Sequence, residues 1–360
     1  MLYKENWDKV KERLIALWER EIVDRCCISI VAPKDKNIDI DVFTACESDD
    51  PQKLKEFWEN PVNILERNLK RMENTFFGGE SLPQIFLNFG TGGHAIYFGA
   101  DYRYTPESIW YFPVIKDWDS YQLIYNPYNN FLVKQFKIAR FLSEEGKSRF
   151  FVSMPDNCGN LDALAHLRGT QNLLLDMVFN KERVKEATHI LNDGWKKANE
   201  EFYQITRQCN EGGSTNGWMN TWAPGRQMQM QCDLSVMISP DLYKEFVILE
   251  LEEQMEWIEY PVYHLDGKDQ IRHLDYLLSL DKLKIIQWTD VKGQEPPVKF
   301  FPALKRIQKA GKALIIFTPI EDIPELLAEL SSRGLYLHTT ADSEEEAREV
   351  IKYVTEHTAE

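Results

Sequence analysis

The chain has 360 residues, of which 43% are hydrophobic and 12% aromatic, enough for a sizeable core and with no compositional sign of disorder. Its formal net charge is −15. An acidic surface of this size argues against nucleic acid or an anionic membrane as a partner, because both are polyanions. No apolar run approaches the roughly 20 residues that cross a bilayer, so no membrane partner is expected.

The first residues and the cysteines together predict a cytoplasmic location. The N-terminal segment MLYKENWDKVKERL is charged and amphipathic, and it lacks the apolar core and cleavage site of a signal peptide. The cysteines include no CxxC pair, so reduced thiols are the simplest interpretation. The six cysteines are Cys26, Cys27, Cys46, Cys158, Cys209 and Cys232.

Helical periodicity opens the chain over residues 3–23, where Trp7, Val10 and Leu14 recur at three- and four-residue spacing. Strand-like runs follow, with helical segments between them. The runs are 26-CCISIVA-32, 84-QIFLNF-89, 150-FFVSM-154, a weaker one near 214–220 or 228–233, 261-PVYHLD-266, 283-LKIIQW-288, 312-KALIIF-317 and 334-GLYLH-338. In the second half the predicted helices are residues 240–258, 269–280, 298–310, 320–332 and 342–357.

This alternation of strands and helices predicts an α/β fold, a single (β/α)₈ TIM barrel that spans residues 1–360 as one domain. An N-terminal helix precedes the barrel, and the helical stretches within 160–207 elaborate its rim. An open, doubly wound sheet is the rival architecture. No GxGxxG follows a strand, and 90-GTGG-93 has the wrong spacing, so nothing favours a dinucleotide fold.

The strand 261–266 ends in His264 and Asp266, which share a face because side chains alternate along a strand. The carboxyl ends of barrel strands carry the active sites of characterised barrel enzymes. We therefore predict that His264 and Asp266 are catalytic; the alternative is a hydrogen bond that caps the strand. His338 ends the last strand, and two imidazoles with a carboxylate suit zinc or a similar ion. The predicted metal ligands are His264, Asp266 and His338.

Aromatic and polar residues near other strand ends predict a ligand pocket. Trp288 and Asp290 follow the sixth strand, where packing is the equal alternative for Trp288. The segment 216–233 is rich in Trp, Met and amides and lacks regular periodicity, as adaptable pockets do. Its candidates are Trp218, Trp222, Cys232 and Asp233, and a weaker cluster comprises Asn88, His94 and Trp110.

The remaining histidines and the common hydrolase motifs add nothing to this site. His166, His189, His273 and His357 lie in helical segments, where packed or solvated roles are expected. The sequence has no GxSxG, so a Ser–His–Asp hydrolase finds little support. It has no P-loop and no HExxH either.

The segment 232-CDLSVMISPDLYKEFVILELEEQMEWIEYPVYHLDG-267 resembles the core of the uroporphyrinogen decarboxylase superfamily. It has an Asp, a Ser-Pro helix start, a Phe-bearing helix and a strand ending in His-x-Asp-Gly, in the order found there. The stretch 159-GNLDALAHLRGTQNLLLDMVFNKERVKEA-187 is similar to the family's earlier Arg-Gly-x-Gln helix. The strands 283–288 and 311–317 and the segment 334–351 continue the pattern. The resemblance covers most of residues 1–357 and implies the (β/α)₈ fold.

The superfamily divides into porphyrinogen decarboxylases and methyltransferases that work with corrinoid proteins. The decarboxylases carry an RQAGRY-like string that grips substrate carboxylates, whereas here Arg25 and Arg103 stand alone. The thiol methyltransferases bind zinc with His-x-Cys and a distant Cys. His264 matches that His, Asp266 replaces the first Cys, and His338 falls near the second. The resemblance therefore favours branches that lack the thiolate zinc motif, and a metal-free site stays open.

These features lead to three hypotheses about function. The first is a methyltransferase of the uroporphyrinogen-decarboxylase-like type that moves a methyl group between a corrinoid protein or methylated small molecule and an acceptor such as tetrahydrofolate. The second is a decarboxylase or lyase on a smaller carboxylated substrate. The third is a non-catalytic ligand-binding barrel. A small-molecule substrate is expected in each case, with zinc as a candidate cofactor and a homodimer as a candidate assembly.

Overall fold

The computed structural model describes residues 1–157, 159–291 and 293–359. Cys158, whose thiol is predicted to be reduced, lies outside the described residues. The described cysteines form no disulfide, and each is free: Cys26, Cys27, Cys46, Cys209 and Cys232.

A mostly parallel sheet forms the centre of the protein. The strands are β1 (Cys27–Pro33), β2 (Thr75–Gly79), β3 (Gln84–Ile85), β4 (Asp101–Tyr104), β5 (Ile109–Phe112), β6 (Phe151–Val152), β7 (Ser214–Asn216), β8 (Thr221–Ala223), β9 (Gln227–Met230), β10 (Tyr260–Leu265), β11 (Ile285–Trp288), β12 (Ala313–Phe317) and β13 (Leu335–Thr340). Seven of them form one sheet in the order β2-β1-β13-β12-β11-β10-β9. All pairings in it are parallel except that of β1 with β2. The α/β class predicted from the sequence is therefore confirmed.

Three two-stranded units complete the strands. β3 pairs with β6 in parallel, whereas β4–β5 and β7–β8 are antiparallel hairpins. An isolated parallel bridge joins Met154 to Asn216. Among the described residues, no strand pairing connects these three units to the seven-stranded sheet. Closure into an eight-stranded barrel therefore stays a prediction.

Helices connect and cover the strands. They are α1 (Trp7–Trp18), α2 (Pro51–Glu59), α3 (Pro61–Asn74), α4 (Asn130–Gly146), α5 (Asn160–Arg168), α6 (Thr170–Phe179), α7 (Lys181–Thr206), α8 (Pro240–Leu242), α9 (Leu249–Gln254), α10 (Leu274–Leu278), α11 (Phe301–Lys309), α12 (Ile323–Glu329) and α13 (Glu344–His357). A π-helix, Tyr243–Ile248, joins α8 to α9. Short 3₁₀ segments are Asp41–Phe43, Gly93–Phe98, Asp233–Met237, Lys268–His273, Pro297–Lys299 and Ile320–Asp322.

Capping residues fix where several of these helices begin. The Asp50 carboxylate accepts the N–H groups of Gln52 and Lys53 at the start of α2. The Asn60 side chain does the same for α3, and proline is the first residue of both helices. A side-chain acceptor before a proline satisfies amide groups that have no partner within the helix and preorganises the first turn. The Asn60 cap fixes where α3 begins, and residues of α3 line the cavity of the candidate site.

The amino-terminal helix closes one end of the sheet. Trp7 packs edge-on against Phe151 and Trp222, and Trp18 donates a hydrogen bond to the carbonyl of Trp222 over 3.0 Å. Next to it, buried Glu80 forms a bidentate ion pair with Arg25, at 2.7 and 2.8 Å. Because side chains fill this end of the sheet, a ligand site is expected at the carboxyl ends of the strands.

The structure departs from the predicted elements in several places, among them the shorter strands β3 and β6 and the unpredicted elements of the first half. The predicted helix 240–258 is divided by the π-helix Tyr243–Ile248, whose wider turn interrupts the regular ladder. Both alternatives for the weaker strand are present, as β7 and β9. Within the described residues, no helix is both long enough and apolar enough to cross a membrane.

Candidate active site

His264 lies near the carboxyl end of β10, and its ring is held by two side chains from β11 and the residues after it. The parallel pairing of β10 with β11 places His264 opposite Gln287. Nδ1 of His264 lies 2.6 Å from Oε1 of Gln287 and 3.0 Å from Oγ1 of Thr289. The Gln287 carboxamide also donates to Thr289 Oγ1 over 3.0 Å. The three side chains therefore form a closed hydrogen-bonded triangle.

This triangle determines which ring nitrogen of His264 a substrate can use. A carboxamide oxygen accepts hydrogen bonds, so the contact with Gln287 Oε1 assigns the ring proton to Nδ1. The neutral ring then carries its lone pair on Nε2. The indole of Trp218 lies edge-on against the ring, with centroids 5.1 Å apart. The arrangement fixes the ring plane and leaves Nε2 as the atom for chemistry.

Asp233 is a partly buried carboxylate whose charge interacts with that of His264. Its backbone N–H donates to Asp162 Oδ2 over 2.9 Å, and Gln231 donates to its Oδ2 over 3.0 Å. Its Oδ1 is shielded from solvent and has no hydrogen-bond partner in the part of the chain that the structure describes. Burial raises the pKa of Asp233, and the Asp266 and Asp156 carboxylates raise it further against the opposing effect of His264. Asp233 therefore ionises less readily than an ordinary aspartate, and its charge interacts with that of the imidazole.

A chain of amides connects Asp233 to Asp156. Gln231 donates to Asp233, and its own Oε1 accepts from Gln229 Nε2 over 2.7 Å. Gln229 Nε2 also donates to Asp156 Oδ1 over 3.1 Å, while Asn216 donates to Gln229 Oε1 over 2.6 Å. Neutral amides at these positions orient carboxylates without adding charge. The chain therefore holds Asp233 and Asp156 in fixed positions.

Asp266 lies one residue beyond the end of β10. Its backbone N–H donates to Gln270 Oε1 over 3.1 Å, and Gly267 follows with a φ of 70°. A positive φ favours glycine, so the chain turns sharply after Asp266. The Asp266 carboxylate acts electrostatically on Asp233 and raises its pKa.

A cavity of about 1090 Å³ lies beside the triangle of His264, Gln287 and Thr289. Trp218 lines this cavity and also packs against the His264 ring. The cavity wall includes residues of β1, β3, β12, β13 and α3, together with Asp290 from the segment after β11. Trp218 stacks on Phe317 with centroids 6.1 Å apart, and Phe317 in turn contacts the His338 ring at 4.7 Å. Of the sequence-predicted residues, those in the cavity wall are Asn88, Trp218, Asp290 and His338.

His338 is buried in this wall as a neutral ring. Its Nε2 has no hydrogen-bond partner within residues 1–157, 159–291 and 293–359, and the Tyr336 ring packs against it with centroids 4.2 Å apart. Burial lowers the pKa of His338 to about 3. The Trp218 Nε1 and Gln84 Oε1 atoms, from two other residues of the wall, are also shielded from solvent without a partner. The cavity wall therefore holds three unused hydrogen-bonding atoms.

The predicted metal site is not formed by these residues. Across residues 1–157, 159–291 and 293–359, no group of three or more His, Cys, Asp or Glu side chains is arranged to hold a metal ion. His264 uses Nδ1 within the triangle, and His338 lies across Trp218 and Phe317 from it. The expected convergence of His264, Asp266 and His338 as ligands is therefore not seen, and no step below uses zinc.

Several other predicted residues lie away from the site. Trp222 is fully buried against α1 and donates to the Asn210 carbonyl over 3.0 Å. Trp288 packs on Phe300 with centroids 5.1 Å apart, because it alternates with Gln287 and lies on the other face of β11. Cys232 is buried, and its carbonyl accepts from Gln270.

The weaker cluster is dispersed. Trp110 is 62% exposed on the β4–β5 hairpin and does not belong to the cavity wall. His94 is buried with Nε2 2.7 Å from Asn160 Oδ1, and burial lowers its pKa to about 4. Asn88 reaches the cavity, where its own Oδ1 accepts from the Gly90 N–H over 3.1 Å.

Sequence reasoning did not identify Gln287, Thr289, Gln229 or Gln231. Neutral amides and hydroxyls carry no motif, and their role depends on the register of strands distant in sequence. Gln287 is nevertheless a polar residue inside the apolar run 283–288, and a buried polar residue requires a partner. That signal could have selected it.

Comparison with known proteins supports the fold. No protein-family model matches the chain, and no curated protein matches it. Among solved structures, a methyltransferase from Methanosarcina mazei is similar, with a TM-score of 0.61 and 12% sequence identity over 96% of this chain and 98% of that chain. At this identity, the likeness shows that the two chains share a fold.

Proposed function

We propose that the protein is a uroporphyrinogen-decarboxylase-like methyltransferase of (β/α)₈ barrel fold. The observation that carries the proposal is His264, whose ring is fixed by Gln287 and Thr289 and whose Nε2 has no hydrogen-bond partner among the described residues. The fold shared with a methyltransferase supports it. The donor is a methylated corrinoid on a partner protein or a methylated small molecule, and tetrahydrofolate is the candidate acceptor.

The proposed chemistry assigns proton handling to this chain. A methyl group passes to a heteroatom of the acceptor, while the donor keeps the electron pair of the bond that breaks. The acceptor's proton goes to Nε2 of His264, which converts the ring to imidazolium. The nearby carboxylates, Asp233 and Asp266, stabilise that positive charge electrostatically. No metal ion is required for these steps.

Replacing His264 by Ala tests this function. We expect His264→Ala to lose methyl transfer from a methylated corrinoid to tetrahydrofolate by at least about a hundredfold, because the general base is removed. His189→Ala is the matched control, since His189 is 53% exposed on α7 and pairs with Glu253. Wild-type turnover by His264→Ala would remove His264 from the mechanism.

A second candidate, decarboxylation of a small carboxylated substrate, is favoured by Arg67 and Arg71 in the cavity wall. An arginine can hold a carboxylate through paired N–H donors. Release of CO₂ without any corrinoid, by a chain that transfers no methyl group, would select this reaction. A cytoplasmic location, a homodimer and a corrinoid partner, the last implied by the family resemblance, are further parts of the proposal.

A further inference from the structure

Arg67 is a partly buried cation of the cavity wall that lacks an acidic partner. It lies on α3, and its guanidinium stacks over the Phe57 ring with 3.8 Å from Cζ to the ring centroid. One of its N–H groups donates to the Phe57 carbonyl over 2.7 Å. Within the described residues, no carboxylate oxygen lies within 4.0 Å of its nitrogens. Burial lowers the pKa of Arg67 to about 10, and the side chain remains charged at neutral pH.

Within the described residues, Arg67 differs from its neighbour Arg71 on α3 in having no acidic partner. Asp and Glu number 57 against 42 Lys and Arg, so counter-ions are plentiful. Arg71, one turn along the same helix, pairs with Asp41 at 3.2 Å. Buried charges are normally paired, because removing a charge from water costs free energy. A guanidinium has five N–H donors, and the Phe57 carbonyl uses one of them.

The rest of the wall indicates what kind of molecule the cavity accepts. It is rich in aromatic rings, among them Phe57, Trp58 and Phe86. His338, which is 5% exposed, leaves Nε2 without a partner, and so does Trp218 with its indole N–H. Native proteins rarely bury such atoms unpaired, so they mark places where a ligand or water completes the bonding. At about 1090 Å³ the cavity has room for a complete small-molecule ligand.

We propose that this cavity binds a small molecule with an aromatic group and a carboxylate, and that the carboxylate lies on the Arg67 guanidinium. Arginine suits this role, because its planar fork matches a carboxylate with two parallel hydrogen bonds. Phe57 holds the fork in place, and the cavity connects it to Trp218 and thus to His264. That this molecule is the methyl acceptor rests on the proposed function; the binding site itself does not.

Binding of benzoate and of its neutral analogue benzamide to the full chain tests the site. By titration calorimetry or ligand-observed NMR at pH 7.5, we expect wild-type protein to bind benzoate about tenfold more tightly than benzamide. Arg67→Gln removes the charge and should abolish that preference. Lys70→Met is the matched control, since Lys70 is exposed on the same helix outside this cavity, and it should keep the preference.

The outcomes separate the site from the function. Equal binding of the two ligands by wild type, or an unchanged preference in Arg67→Gln, would overturn the proposal. Arg67→Lys guards against a folding defect, since it keeps the charge and should retain part of the preference while thermal unfolding stays near that of wild type. Tetrahydrofolate binding that depends on Arg67 would identify the carboxylate ligand as the acceptor. If the protein prefers benzoate but does not bind tetrahydrofolate, the carboxylate-binding site is supported and tetrahydrofolate is rejected as the methyl acceptor.

Discussion

Gln287 and His264 face each other across neighbouring parallel strands, with Oε1 of Gln287 2.6 Å from Nδ1 of His264. The Gln287 amide is fully buried, and it orients the imidazole. Nδ1 binds the amide, and Nε2 is available to a substrate. A carboxylate at position 287 would add a negative charge that favours the imidazolium form of His264. The neutral Gln287 amide adds no such charge, so Nε2 can still accept a proton from a substrate. The pairing therefore has a direct kinetic consequence.

Gln287→Leu removes the acceptor for Nδ1 with little change in volume. We expect methyl transfer to fall by about ten- to a hundredfold, because the ring loses its preferred tautomer and orientation. The measurement is steady-state turnover, with KM compared separately from kcat. Gln204→Leu, an exposed substitution on α7, should leave turnover unchanged. An active Gln287→Leu enzyme would mean that Thr289 alone positions the ring.

Asp233→Asn should stabilise the protein at pH 7. The folded state raises the pKa of Asp233, chiefly through burial, so it binds this proton more tightly than the unfolded chain does. The free-energy penalty for this raised pKa therefore grows as the pH rises above about 3.8, where the unfolded chain ionises, and asparagine removes it. The gain should disappear below about pH 3.8, where both states of the wild type are protonated. Urea denaturation from pH 3.5 to 7.5 measures the difference, and a pH-independent difference would contradict it.

His338→Phe should make the protein more resistant to acid. The unfolded chain protonates this histidine near pH 6.5, whereas burial lowers its pKa to about 3 in the folded state. Wild type therefore loses up to about 1.4 kcal/mol per pH unit from this residue as the pH falls through that window. The variant keeps the ring contacts with Tyr336 and Phe317 and lacks the titrating group. Its advantage in free energy of unfolding should be larger at pH 4.5 than at pH 7.5, and parallel pH profiles would disprove the assignment.

Glu80→Gln should be strongly destabilising. Glu80 is fully buried and accepts hydrogen bonds from Arg25, Arg13 and the Ile28 backbone N–H. Removing one charge of a buried pair leaves the other uncompensated, which costs about 3–5 kcal/mol. Chemical denaturation at pH 7 measures the loss. Glu329→Gln is the control, since the exposed pair with Lys305 contributes less than about 1 kcal/mol.

The second half of the sheet could be predicted from the sequence, because its strands are buried on both faces. Residues 285–288 and 313–317 are continuous apolar runs with a single amide, and they form β11 and β12. Such runs are typical of parallel strands covered by helices. The same reasoning located His264 at a strand end facing the site.

The first half was harder to predict. α2 and α3 have caps at Asp50 and Asn60 followed by proline, a signal that could have identified both helices. The β4–β5 hairpin alternates exposed with less exposed residues, but its half-buried residues are tyrosines and Ile109 is its one buried residue, so no apolar stripe marks it in the sequence.

Contacts between distant segments lay beyond sequence reasoning. That Trp218 would separate His264 from His338 depends on a loop packing across three strands, which no local pattern encodes. Likewise, the spacing of Arg67 on α3 gives no indication that the residue reaches a cavity formed by β13.

The fluorescence of Trp218 can report whether a ligand occupies the cavity. The chain has ten tryptophans, and several, including Trp195, Trp222 and Trp288, are sealed in the core where a ligand cannot change their surroundings. The Trp218 indole instead borders the cavity, touches the His264 ring and has an N–H without a partner. Its emission responds to the polarity beside it, so a fluorescence difference between wild type and Trp218→Phe follows occupancy of the cavity without any label.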